Sequence, residues 1–146
     1  MKKLYFIILF LIFSCSENQV SIDISTLSKY NIVTNYNDVA DTLNVYLDKT
    51  LGLTLEISEK KKNRSIILTE KPDYNKDFIS INYKDSLITI SANNKTNLYY
   101  ATYDFIEKFL NVNWLSTDFT YYSDVKSINF PNNYSYYYEP PVLTRT

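Results

Sequence analysis

The sequence predicts an α+β fold, a mixed β-sheet with two main helices packed on it, and three observations carry that reading. Two stretches, one ending at Leu51 and one spanning Leu98 to Leu110, repeat apolar residues at helical spacing. Between and after them lie short runs that alternate or cluster as strands do. Turn-forming residues punctuate the series, including Gly52, the only glycine in the chain.

The first strand is expected at Tyr30 to Thr34. Asn37 or Asp38 then offers a short side-chain oxygen to cap a helix, accepting a bond from a first-turn N–H that has no partner in the helix. At helical spacing Val39, Ala40, Leu43, Tyr46, Leu47, Thr50 and Leu51 fall within an arc of about 140°, a face that packs on a sheet. Gly52 stands where a helix exit needs a left-handed residue. Strands follow at Leu53 to Ile57, Arg64 to Leu68, Asp77 to Tyr83 and Leu87 to Ser91. The last two read as a hairpin across Lys84-Asp85-Ser86, because Ile79, Ile81 and Tyr83 alternate, as do Ile88 and Ile90. The continuous run Ile66-Ile67-Leu68 reads as a strand covered on both faces.

The second helix spreads its apolar and aromatic residues over roughly 200°, wider than a one-sided surface helix needs. Something besides the sheet must cover it. Either the chain's own tail, with Trp114, Phe119, Tyr121 and Tyr122, or a following domain can do so. From Asp118 to Tyr138 the chain is dense in tyrosine and asparagine, with a short strand at Ser127 to Phe130 ended by Pro131. Tyrosine brings contact area with a polar tip, which suits a partly wet interface as well as stacking on sugar rings. Domain packing is the favoured role for Tyr134, Tyr136, Tyr137 and Tyr138.

The N-terminus has the form of a lipoprotein signal peptide over residues 1–15. Lys2 and Lys3 precede an apolar run from Leu4 to Phe13, followed by Ser14 and Cys15. About ten apolar residues fall well short of the roughly 20 that span a bilayer. Lipid on Cys15 would place the protein on a bacterial envelope membrane, at the periplasmic face or the cell surface, and residues 16–28 read as a polar tether. Cys15 is the only cysteine, so no disulfide supports the fold and residues 29–138 must hold together on an apolar core. They suffice for one small domain.

The same inventory narrows the chemistry. No histidine is present, which removes Ser-His-Asp and Cys-His systems and imidazole metal sites. One glycine cannot build a glycine-rich phosphate loop. A formal net charge of -1 argues against a nucleic-acid surface, and the basic run Lys60, Lys61, Lys62 and Arg64 reads as a solvated loop between strands. A glycosidase needs two carboxylates at a set separation in space, and since none of the 16 acidic residues adjoins another, any such pair would have to come from distant segments. No catalytic residue, metal ligand or cofactor site is therefore assigned.

Several segments together carry a resemblance: Tyr46 to Gly52, Leu87 to Ile90, the helix with Leu98, Tyr99, Tyr103, Phe105, Ile106 and Glu107, then Trp114, and finally Glu139-Pro140-Pro141 with Arg145. From Tyr30 to Arg145 the chain resembles the N-terminal domain of family 20 β-hexosaminidases and of bacterial α-glucuronidase-like lipoproteins. It departs from that pattern at Thr96-Asn97 and at Asn111-Val112-Asn113, where the relatives carry arginine-glycine and glycine-x-arginine. The resemblance implies a zincin-like topology without a zinc site and a noncatalytic accessory role beside a catalytic barrel. Residues 139–146 would then begin that barrel. It also implies a domain interface made by Tyr99, Tyr103, Ile106, Trp114, Tyr136, Tyr137 and Tyr138, and makes Arg145 a candidate for gripping sugar hydroxyls. The parent architecture would be a glycoside hydrolase, while this chain alone is not expected to be an enzyme. The alternative is a free-standing envelope lipoprotein that binds glycans or a protein partner through its tyrosines.

Overall fold

A computed structural model of the protein describes residues 19–72 and 76–140. Cys15, Arg145 and most of the expected barrel lead lie outside the described residues.

The elements in chain order are β1 (Gln19–Asp23), α1 (Ile24–Leu27), β2 (Asn31–Val33), α2 (Asn37–Leu51), β3 (Glu56–Ser58) and β4 (Ser65–Glu70). They continue with β5 (Ile79–Lys84), β6 (Leu87–Ala92), α3 (Lys95–Leu110), β7 (Val112–Ser116), β8 (Phe119–Tyr122), β9 (Ser127–Pro131) and β10 (Ser135–Tyr138). Six of the strands form one sheet in the order β10-β5-β6-β4-β2-β3. Strands β6, β4, β2 and β3 run parallel, and β5 and β10 add antiparallel pairs at one side. This is the mixed α+β architecture that the sequence predicts.

Pairing places Ile32, Ile66, Ile88 and Tyr83 in one row across the sheet, with Leu68, Ile90 and Ile81 in the next. Every member of both rows is buried. Helix α3 crosses β4, β5 and β6, and α2 lies beside it. The inward residues of α2 and α3 close this core, with Leu43, Leu47, Leu98, Phe105 and Ile106 fully enclosed. On the opposite face Val33, Ile67 and Thr89 stay half-buried. The run Ile66-Ile67-Leu68 is therefore tightly covered on one side only, and the helices account for the difference.

The β5–β6 hairpin turns through Asp85 and Ser86, both at positive φ (51° and 64°), so the chain makes this bend without glycine. Gly52 takes φ 62° at the exit of α2, as expected, and Asn111 takes φ 52° at the exit of α3. The start of α2 differs from expectation. Tyr36 occupies the cap position with no side-chain bond, its carbonyl accepts from Val39 and Ala40, and Asp38 instead lies in the first turn.

Two larger corrections concern segments that composition hides. The expected tether is folded from Gln19 onward: β1 pairs with β9, and Ile22 and Leu27 belong to the core. Its polar residues alternate with apolar ones, so one side is buried. The tail also forms β10, whose Ser135–Tyr138 pairs with Asn82–Ile79 at the edge of the main sheet.

Buried Asn44 fixes the link from α2 to β3. Its amide donates to the Leu55 carbonyl (3.0 Å) and its oxygen accepts from the Leu55 N–H (2.9 Å). Both polar groups of a buried peptide are thus satisfied where no ladder reaches them.

Candidate functional site: an aromatic cluster on the helix layer

The hairpin β7–β8 lies over the outer side of the two helices, and its strands pair from Val112↔Tyr122 onward. That placement brings four rings from four elements together. Tyr46 of α2 meets Tyr103 of α3 at 6.1 Å, Trp114 of β7 at 5.9 Å and Tyr122 of β8 at 6.3 Å. Tyr103 and Trp114 are 5.6 Å apart, and the contacts among Tyr46, Tyr103 and Trp114 are edge-to-face. Such perpendicular packing favours ring quadrupoles. It also rules out a flat platform of coplanar rings there.

The polar tips in this cluster are turned on one another. Trp114 Nε1–H donates to the Tyr46 hydroxyl (3.4 Å), and Lys49 Nζ donates to the Tyr122 hydroxyl (3.2 Å). The same ammonium sits 5.6 Å from the Tyr46 ring and 5.3 Å from the Tyr122 ring. What remains toward solvent is ring surface: Trp114 is 37% exposed, Tyr103 36%, and Tyr100 61%. Leu115, Phe119 and Tyr121 of the hairpin are exposed as well. The cluster offers chiefly contact area, with Lys49 as its one charged group.

The expected interface residues divide. Tyr103 and Trp114 meet in the cluster, and Tyr99 lies one turn before Tyr103, its hydroxyl raised by the neighbouring Asp38 carboxylate. Ile106 is corrected: it is fully buried within the core and offers nothing to a neighbour. Tyr136, Tyr137 and Tyr138 sit apart on β10. Lys108 Nζ lies 3.7 Å over the Tyr136 ring, and Tyr137 stacks on Phe78 at 5.5 Å and donates to Glu139 (2.8 Å). Sequence reasoning placed Tyr46 on the buried stripe of its helix and passed over Lys49. The one available signal is that Tyr46 is the only ring on α2.

The question of what covers α3 receives a split answer. Toward the end of the helix, Phe109 packs on Phe130 (4.4 Å) and Tyr134 (5.3 Å), so the chain's own tail supplies the cover. Midway along it, the hairpin supplies Trp114 and leaves Tyr100 and Tyr103 open.

A second polar constellation lies where the carboxyl ends of the parallel strands meet the starts of both long helices. Lys95 of α3 pairs with Asp38 of α2 at 2.6 Å and lies 5.7 Å from the Tyr36 ring, while the neighbouring Glu70 raises the Tyr36 hydroxyl above its ordinary value. Hydrogen bonds from Lys95 and then Tyr99 hold the Asp38 carboxyl below its ordinary value, and the bond to Asp38 raises Lys95. This group clasps the two helix starts together. Beside it lies an open cavity of about 560 Å³ walled by Asn35, Asn37, Asp41 and Glu59. Its Thr34 hydroxyl oxygen accepts from the Tyr36 N–H (3.0 Å). Among the described residues no three histidine, cysteine, aspartate or glutamate side chains gather as a metal-binding set.

No family model matches the chain, and no curated protein matches it. Two solved structures are similar to it: a GH20 exo-β-N-acetylglucosaminidase from Vibrio harveyi in complex with N-acetylglucosamine, and an inactive mutant of that enzyme. Each comparison gives 17% identity and a TM-score of 0.49, and covers 78% of this chain. The chain spans 16% of the length of either enzyme chain.

Proposed function

We propose that this chain is a noncatalytic accessory domain of a bacterial glycoside-hydrolase-like lipoprotein that acts in glycan degradation. In this reading lipid on Cys15 ties it to the envelope, and a catalytic barrel covers the ring cluster of Tyr46, Tyr103, Trp114 and Tyr122. The observation that carries it is the cluster itself. It presents apolar ring surface on the outer side of α2 and α3, with the tips of Tyr46, Trp114 and Tyr122 hydrogen-bonded within it, where a rigid protein surface fits better than a sugar. The motifs shared with the N-terminal domains of family 20 β-hexosaminidases and α-glucuronidase-like lipoproteins support the same role, including the Pro140-Pro141 lead and Arg145.

The test begins with the coding frame beyond Thr146. A barrel found there, expressed separately and titrated against this protein, should shift the emission of Trp114, the only tryptophan, and a Tyr103→Ala/Trp114→Phe pair should weaken the association at least tenfold by calorimetric titration. A glycoside hydrolysed by this chain unaided, or an in-frame neighbour that leaves Trp114 unmoved, would sink the proposal. The exposed hairpin residues Leu115, Phe119 and Tyr121 favour a second reading, a free-standing lipoprotein that binds glycans or a protein partner. A glycan titration that perturbs Trp114 while no barrel does so would select it.

A further inference from the structure

The amino-terminal ends of the parallel strands share one edge of the main sheet, since Asn31, Ser65 and Leu87 stand side by side where β2, β4 and β6 begin. Lys29 stands two residues before β2, Arg64 immediately precedes β4, and Lys84 pairs with Leu87 at the third. The loop between β3 and β4 folds back to the same edge, because Asn31 donates to the Lys60 carbonyl (2.8 Å) and the Ser65 hydroxyl accepts from the Lys62 N–H (2.9 Å). Lys60, Lys61 and Lys62 are therefore gathered with Lys29, Arg64 and Lys84, and all six are exposed. Asp23, Glu56 and Asp85 partly offset them, Glu56 through its pair with Lys62. The edge stays positive in a chain whose formal net charge is -1.

The described chain starts beside this edge. Val20 pairs with Phe130, Phe130 stacks on Tyr83 at 4.7 Å, and Tyr83 pairs with Ile88, one residue into β6. Three residues lie between Cys15 and Gln19, so the four chain steps reach at most about 14 Å. We infer that the edge formed by Lys29, Lys60, Lys61, Lys62, Arg64 and Lys84 rests on the anionic headgroups of the bilayer that holds the lipid. This inference rests on the reading of Cys15 as lipid-bearing. It orients the domain, because the Asp38–Lys95 clasp lies at the opposite ends of the strands and so points away from the membrane.

The test uses the full-length lipidated protein in vesicles of phosphatidylcholine alone, or with about 30 mol% phosphatidylglycerol. A nitroxide is placed on Asn63→Cys at the edge or on Asn35→Cys at the far ends, and nickel chelated to the headgroups reports proximity. Relaxation of the Asn63 probe should rise several-fold on the anionic vesicles and that of the Asn35 probe should not. High salt and the variant K60Q/K61Q/K62Q should both abolish the rise. Equal relaxation at both positions, or the same enhancement on neutral vesicles, overturns the inference. Duplex DNA that displaces the edge from anionic vesicles would assign it to nucleic acid and overturn it too. If Cys15 carries no lipid, the protein stays in the supernatant of neutral vesicles, which defeats the anchor alone. Partition into anionic vesicles that falls about tenfold or more in K60Q/K61Q/K62Q then supports the edge, and no partition overturns it.

Discussion

The inner and outer sides of α3 make an instructive pair. Inward, Leu98, Ala101, Thr102, Phe105 and Ile106 are fully enclosed by the sheet and neighbouring elements. Outward, Tyr99, Tyr100 and Tyr103 carry hydroxyl tips and remain partly or largely in water. The inner side uses rings and chains with no hydroxyl except Thr102, which returns its own to the Leu98 carbonyl (2.8 Å). Midway along the outer side the rings are all tyrosines, flanked by the exposed Lys95, Thr96, Glu107 and Lys108. Side chains able to satisfy their own tips can wait uncovered, which a bare phenylalanine stripe could not do without promoting aggregation.

If that division is right, the inner side should dominate stability. Phe105→Ala should cost about 4 kcal/mol, from lost burial plus the cavity it leaves, measured by urea unfolding. Asn44→Ala should cost about 3 kcal/mol although it removes few atoms, because the Leu55 N–H and carbonyl are then buried without partners. A mild loss there would mean that water reaches the α2–β3 link. Gly52→Val tests the backbone rather than packing. No atom lies within 4 Å of the position a Cβ would take, so the loss of about 1–2 kcal/mol comes from the left-handed conformation alone. Gly52→Asn should recover most of it. Trp114→Phe should cost no more than about 1 kcal/mol in the isolated chain, since the ring is partly solvated and its contacts are lateral. A larger loss would make the outer cluster part of the core and erase the contrast.

The smallest effect concerns acid. Asp38 and Asp23 are held below their ordinary values, Asp38 first by Lys95 and Asp23 first by the Thr26 N–H. A carboxyl depressed in the folded state stabilises above its unfolded value, and that support disappears as pH falls through the folded value. Stability should therefore decline below about pH 4, and Asp38→Asn should make the decline shallower. An unchanged acid limb in that variant would show that the clasp contributes nothing.

Much of this architecture is legible in the residues. The stripe on α2, the hairpin at Lys84 to Ser86 and the left-handed exits at Gly52 and Asn111 follow from periodicity and turn chemistry. The strands β1 and β10 escape that reading for one physical reason. Each is short, half polar and paired with a partner distant in sequence, so no local pattern announces it. The site was readable in part. A tyrosine excess signals an interface, but which rings meet depends on the hairpin's position over the helices, and that brought in Tyr46 and Lys49 while enclosing Ile106.

The pairing of Gln19 with Pro131 has a consequence for how the molecule is made. Among the described residues the first strand must wait for one far along the sequence before either can lock, which makes completion slow and nonlocal. Until Ser127–Pro131 has been made, β1 has no partner, and Ile22 and Leu27 have no finished core to join.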